Sequence, residues 1–397
     1  NKPNPNNNTK APSPALTAPA LWFGPVQNGK VQMYSASVST YPGSSSSRIF
    51  LQELKTQTDP ARPGRHSLAA LDTQNIKSRE PNFNSRQTVI RLPGGVYKIN
   101  PGKNGGRVAG INGNDGKNDT FGIFKDRYVT PETDEWSEVL LPWTARYYDN
   151  DDIFKTFNQP NNKKQSDKKQ YSQKYRIRTK EDDNDKPRDL GDIVNSPIVA
   201  VDGYLATSAN DGMVHIFKKN GGSDERSYNL KLSYIPGTME RKDIEGNDSD
   251  LAKELRTFAE KGYVGDRYGV DGGFVLRRIT DDQDKQKHFF MFGAMGLGGR
   301  GAYALDLSKI DSSNLTGVSM FDVQNDKNNN KNDNNRVKLG YTVGTPQIGK
   351  TQNGKYAAFL ASGYAAKDIN SNDNKTALYV YDLENGSGSL IKKIEAP

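Results

Sequence analysis

The feature that most constrains this chain is a unit that recurs three times after Leu190. "DIVNSPIVAVDGYLATSANDGMVHIFKKNGG" runs from Asp192, "YGVDGGFVLRRITDDQDKQKHFFMFGAMGLGGRGAYALDLSK" from Tyr268, and "YTVGTPQIGKTQNGKYAAFLASGYAAKDINSNDNKTALYVYDLENG" from Tyr341. Each copy passes through a small-residue turn ending in Pro or Gly, an apolar strand, a loop, a second strand ending in Ala or Gly, and a third strand. The third strands are read at Met213–Phe217, Ala302–Leu307 and Ala377–Leu383. Such runs of apolar, β-branched and aromatic residues bounded by Gly, Pro, Asn and Asp are strand signals. A sheet of three or four short strands cannot bury its faces alone, so the copies must stack. The expected class is therefore mainly β, a modified β-propeller, in which radial repetition leaves only short, protected edges. The copies start further apart than the ~40–50 residues of compact blades. Long loop and helical insertions are expected, at about 101–189 and 240–262. The propeller domain is read over 20–397, behind an Asn-, Pro- and Ala-rich flexible leader at 1–19.

Inside the second copy, Gly296, Gly298 and Gly301 spell G-x-G-x-x-G. A dinucleotide fingerprint needs a strand before the glycines and a helix N-terminus after them, since the helix end holds the pyrophosphate. The apolar run His288–Phe292 supplies the strand, but Ala302–Leu307 reads as another strand. Strand, glycine turn, strand is the simpler account, and no nucleotide is expected.

Elsewhere the chain is polar, with a mean hydropathy of −0.84 and no cysteine. Disulfides, thiol catalysis and thiolate metal sites are thereby excluded. No apolar run approaches the ~18 residues of a membrane span. The formal charge is +8, yet Lys and Arg interleave with Asp and Asn and lack aromatic stacking platforms, so a solvated basic surface is expected and no nucleic-acid partner. The start, "NKPNPNNNTK", reads as that of a mature fragment or an excised domain. "KVQMYSASVST" and "SRIFLQELK" predict a hairpin across "YPGSSSS". Residues 136–157 have helical spacing broken at Pro142. Asp248 to Gly262 predicts a helix with Leu251, Leu255, Phe258 and Ala259 on one face. Residues 158–187 hold too little apolar area to offset ordering entropy. They are expected to be mobile, and deletion of 159–170 to leave the melting temperature nearly unchanged.

Candidate sites are few. Calcium takes six to eight oxygen ligands from alternating acidic or amide side chains. Asp326, Asn328, Asn330 and Asn334 offer one such run, and Asp368, Asn370 and Asn372 another. The first lacks the sharp-turn Gly and a bidentate acid, and both are mostly neutral, so they read as solvated insertions. The pairs Asp151/Asp152 and Asp182/Asp183 have no apolar surroundings to shift a pKa and read as surface charge. His66, His215 and His288 are the only histidines, and none is expected to have a His or carboxylate at metal spacing. No catalytic, cofactor-binding or metal residue is therefore assigned.

The motifs "GDIVNSPIVAV…ANDGMVHIF", "VDGGF…GLGGRGAYALDLS" and "LGYTVGTPQI…NGKYAAFLASGY…ALYVYDLENG" resemble, in order and spacing, the C-terminal propeller of the PilC/PilY type IV pilus proteins. The resemblance covers roughly 190–397, and "VQMYSASVST" is similar to strands preceding that region. It implies an exported protein of the bacterial outer membrane, cell surface or pilus tip. It implies a non-enzymatic role: pilus biogenesis, support of extension against retraction, twitching motility and host-cell attachment. The implied partners are pilins or minor pilins, other pilus machinery and a host-cell surface receptor. Ca²⁺ is the implied cofactor, held in an Asp-rich loop that normally follows the segment "LIKKIEAP". That loop is not found in this chain, and the blades are expected to be incomplete. The alternative is a quinoprotein-like propeller enzyme, since "ALDLSK" and "YDLENG" echo the blade-end turns of that fold.

Overall fold

Strands that alternate apolar residues on both faces must be covered on both, and this rule organises the molecule. The computed structural model describes residues 17–40, 47–70, 76–102, 106–125, 130–147, 174–177, 189–261, 268–327, 333–364 and 376–396. Mostly β, it is built as successive antiparallel sheets. The first holds β1 (Ala20–Phe23), β2 (Met33–Thr40) and β3 (Ser47–Leu54), the last two being the predicted hairpin. A ribbon of β4 (Thr56–Thr58) and β5 (His66–Leu68) follows. Next come β6 (Gln87–Leu92) and β7 (Gly95–Ile99), again a hairpin.

The three copies each form a four-stranded meander. They comprise β8 (Val199–Val201), β9 (Tyr204–Ser208), β10 (Val214–Lys219) and β11 (Tyr228–Ile235). After a ribbon of β12 (Glu240–Lys242) and β13 (Asp248–Asp250) come β14 (Phe274–Thr280), β15 (Gln286–Ala294), β16 (Ala302–Asp306) and β17 (Ser319–Val323). The last sheet is β18 (Gln347–Lys350), β19 (Tyr356–Ala361), β20 (Ala377–Asp382) and β21 (Leu390–Glu395). β6 adds to β11 in parallel, which extends the first meander to six strands in the order β7-β6-β11-β10-β9-β8. Among the described residues no strand pairing joins the first sheet to the last.

Among the described residues, three hydrophobic cores lie between successive sheets. One joins Ala36, Val38, Ile49 and Leu51 of the first sheet to Leu205, Phe217 and Leu230 of the second. Another joins Ala206, Val214 and Ile216 to Phe289, Met291, Tyr303 and Leu305. The last joins Phe290, Phe292, Ala302 and Ala304 to Ala358, Leu360, Tyr379 and Tyr381. Along β15 and β16, odd and even residues thus serve different cores, as the two-residue side-chain period requires. In β11 the even residues themselves change core: Tyr228 and Leu230 face one, Leu232 and Tyr234 the next. A bulge at Lys231, where the register against Ile216 and Phe217 slips, turns the strand over.

Two helical expectations need correction. Pro142 does not break its helix. A π turn over Trp136–Leu140 runs into an α-helix over Leu141–Ala145, with Pro142 in its first turn. There the missing N–H costs nothing, and the wide turn before it relieves the clash that a proline ring makes four residues back. The helix ends at Arg146, at φ 59°. The second helix starts later than Asp248, because Asp248–Asp250 pairs with β12. The Asp250 carboxylate then accepts the Lys253 amide at 2.9 Å and begins a 3-10 turn, Ala252–Glu254, and the helix Leu255–Lys261. Leu251, Leu255, Phe258 and Ala259 are buried together as predicted.

Candidate functional site

The glycine motif lies at a seam between copies. Gly296–Gly298 make a single 3-10 turn and β16 begins at Ala302, so the segment is a turn between strands. Its amides are already engaged: Gly296 donates to the Thr342 carbonyl at 2.9 Å, Gly298 to Met295 at 3.0 Å and Arg300 to Glu240 at 2.8 Å. A phosphate would find those donors spent. A β-carbon on Gly298 would stand 1.7 Å from the Gly269 carbonyl oxygen, and one on Gly301 would stand 2.4 Å from that of Val323. Glycine is needed here for close backbone approach.

The same contacts link each copy to the next. At the first junction, Val270 donates to the Ala209 carbonyl and Gly269 to the Asn210 side chain. Asp271 accepts from the Asn195 amide at 3.1 Å and from its side chain at 2.9 Å. At the second, Thr342 Oγ1 accepts from the Met295 amide at 2.9 Å and donates to the Gly301 carbonyl at 2.6 Å. The leading turns of the second and third units are therefore clasps on the preceding sheet.

His215 is not isolated, contrary to the sequence expectation. Its Nε2 lies 2.9 Å from Asp211 Oδ2 and its Nδ1 2.8 Å from Ser233 Oγ, on the adjacent strand. Burial pushes the His215 pKa down, with Arg86 and Arg146 acting in the same direction and Asp211 opposing them. We assign a neutral imidazole that donates from Nε2 to Asp211 and accepts the Ser233 hydroxyl at Nδ1. Burial alone would raise Asp211, but His215, Arg146 and the Gly191 amide together hold its carboxyl well below the usual range. The order Ser, His, Asp is that of a hydrolase triad. However, Ser233 and His215 are 0% exposed, so a substrate cannot reach Ser233 Oγ. The chain ties β10, β11 and the turn before them together. Asp211 lies four residues before His215, a spacing visible in the sequence.

The other candidates are scattered. His66 is exposed on β5. His288 stacks on Phe290 at 5.0 Å and lies 3.6 Å from Glu384, a second carboxylate neighbour that the sequence reading did not foresee. Asp326 accepts the Val337 amide at 3.0 Å and so closes the base of its loop. Asn334 is exposed. Asn328, Asn330, Asp368, Asn370, Asn372, Asp151, Asp152, Asp182 and Asp183 lie outside the described residues, as does most of 158–187.

A polar cleft of about 1240 Å³ opens where several elements converge. Its walls come from the β6–β7 turn, the β12–β13 ribbon, β17 with the residues after it, and Ser387 of the β20–β21 turn. Seven Lys and Arg side chains line it against five Asp and Glu. Arg91 donates to Ser319 Oγ at 2.9 Å and lies 3.8 Å from Asp322, which also accepts from Thr238 at 2.6 Å and Tyr234 at 3.1 Å. Burial draws the carboxyls of Asp322 and Asp250 upward. Sequence reading missed this cleft, because its walls are far apart along the chain.

Comparison with known families resolves what the repeats belong to. The family model of the PilY1 beta-propeller domain matches residues 190–397, a little over half the chain and the span in which the repeats occur. The chain belongs to the PilY1 β-propeller family. Strands β8–β21 lie within the matched PilY1 span, and β1–β7 precede it. Among curated relatives, the type IV pilus biogenesis factor PilY1 homolog of Xylella fastidiosa is 29% identical over 193 residues, covering 49% of this chain and 10% of the relative. The type IV pilus biogenesis factor PilY1 of Pseudomonas aeruginosa strain UCBPP-PA14 is 29% identical over 221 residues, covering 52% of this chain and 17% of the relative. The chain thus spans a small part of the PilY1 proteins that it matches. The crystal structure of the Pseudomonas aeruginosa PilY1 C-terminal domain is similar with a TM-score of 0.30 and 22% identity, over 49% of this chain and 30% of that one. At that score the family assignment rests on sequence.

Proposed function

We propose that this chain is the propeller part of a type IV pilus biogenesis factor, exported to the cell surface or pilus tip, which acts by binding. In this reading it supports pilus extension against retraction and contributes to twitching motility and host-cell attachment. Its partners are pilins or minor pilins, other pilus machinery and a host-cell receptor. The supporting observation is the family match over 190–397, together with the similarity to PilY1 proteins named type IV pilus biogenesis factors. Among the described residues, no helix is long and apolar enough to cross a membrane. The burial of Ser233 and His215 favours a structural use of the one triad-like arrangement described above. Ca²⁺ enters as a cofactor by the family resemblance alone, with no ligand residue assigned to it, and calorimetric titration of the chain with Ca²⁺ tests it.

Deleting the encoding gene tests the reading as a whole. Surface pili and adherence should fall, and some pili should return when the retraction motor is also removed. Normal piliation, twitching and adherence in the deletion strain would overturn the proposal and favour the quinoprotein-like alternative, which quinone absorbance of the purified protein would reveal.

A further inference from the structure

The cleft between the β6–β7 turn, the β12–β13 ribbon and β17 has the features of a site for an extended chain. Its volume, about 1240 Å³, exceeds the 300–1,000 Å³ usual for small-molecule pockets. One wall is β17, the outermost strand of its sheet, which among the described residues pairs only with β16. An unpaired strand edge offers main-chain donors and acceptors to an added strand. The charge is asymmetric. Arg91 is committed to Ser319 and Asp322, Lys242 to Asp248 at 2.6 Å, and Lys327 to Glu240 at 3.4 Å. Among the described residues, Lys253 and Arg336 line the cleft with no ion pair within 4 Å, Lys253 acting on the Asp250 carboxylate only at longer range, and the buried Nε of Arg336 has no hydrogen-bond partner.

We propose that this cleft binds an extended acidic peptide segment, which adds along β17 and presents carboxylates to Lys253 and Arg336. Guanidinium groups match carboxylates in forked geometry, and both cations can be engaged without breaking an existing ion pair. An acidic saccharide fits less well, because the only aromatic in the lining, Phe321, is 6% exposed and offers no ring face for a sugar. A single-stranded nucleic acid lacks its stacking platform for the same reason. The proposal stands apart from the pilus reading, since its test uses the purified chain alone.

Fluorescence anisotropy with a short labelled peptide of alternating glutamate and valine provides that test. The comparison probes are a lysine–valine peptide of equal length and an oligogalacturonate. The acidic peptide should bind best at low salt. Lys253→Glu with Arg336→Glu should weaken it about tenfold or more, the scale of a lost interfacial charge pair. The neutral pair Lys253→Gln with Arg336→Gln should show a smaller loss and guards against misfolding of the first variant. Amides of Met320–Asp322 should exchange more slowly when the peptide is bound. Absent binding, equal or tighter binding of either comparison probe, affinity unchanged in both double variants, or unchanged exchange in β17 would each overturn the proposal.

Discussion

At Gly298 and at His215, single atoms decide what a substitution can do. Because a β-carbon on Gly298 would sit 1.7 Å from a backbone oxygen, Gly298→Ala should cost about 3 kcal/mol or more, beyond ordinary overpacking. Gly221 has open space around it, so Gly221→Ala should stay within about 0.5 kcal/mol. Denaturant melts of the two variants check the contrast. His215 yields a prediction of opposite character. Its folded pKa is depressed by burial, with Arg86 and Arg146 adding to that and Asp211 opposing. Below the unfolded value of ~6.5, the unfolded chain binds the proton that the native site refuses, so stability is full above that pH and declines as pH falls through it. The lowered pKa of Asp211 adds a loss below the ordinary carboxylate range, in the same direction. His215→Gln should flatten the part of the urea-melt pH profile that lies just below the ordinary histidine value of ~6.5. The sequence held the four-residue spacing of this pair, but it gave no sign that Ser233 and Gly191 would fold around it.

Elements were legible where alternation was strong and both faces were buried. The third strands of all three copies fall within two residues of their expected bounds. The fourth strands were harder to see. β21 is half-exposed and Lys-rich, and β17 is short and follows a 3-10 turn. The parallel addition of β6 to β11 leaves no local signal, since the partners are joined through most of the intervening chain. What the small-residue turns do was also hidden, because Thr342 acts on the sheet before its own. Thr342→Val removes the acceptor of the Met295 amide and the donor to Gly301 in a fully buried setting. Such orphaned groups cost about 1–3 kcal/mol each. Thr342→Val should therefore lower the melting temperature clearly, and Thr342→Ser, which keeps the hydroxyl, should recover most of the loss.

For the whole molecule, the consequence of successive sheets sharing cores is that stability passes from neighbour to neighbour. Each core belongs to two adjacent sheets, as in stacked-repeat proteins whose stability is carried by nearest-neighbour interfaces. Phe292 tests this arrangement. It is fully buried, with its ring centroid 6.3 Å from that of Phe321 on β17 and 6.4 Å from that of Tyr381 on β20. Phe292→Ala should remove about 3–5 kcal/mol from the interface that holds β18–β21. The core between β9–β11 and the odd-numbered face of β15 contains none of these rings. Amides of β19 and β20 should then exchange through a local opening, while those of β9 and β10 keep nearly their original protection. Mass-resolved hydrogen exchange on the variant reads both sets at once. Equal loss of protection in all four strands would mean that the sheets open as one cooperative unit, with the clasps at Asp271 and Thr342 transmitting strain across the whole array.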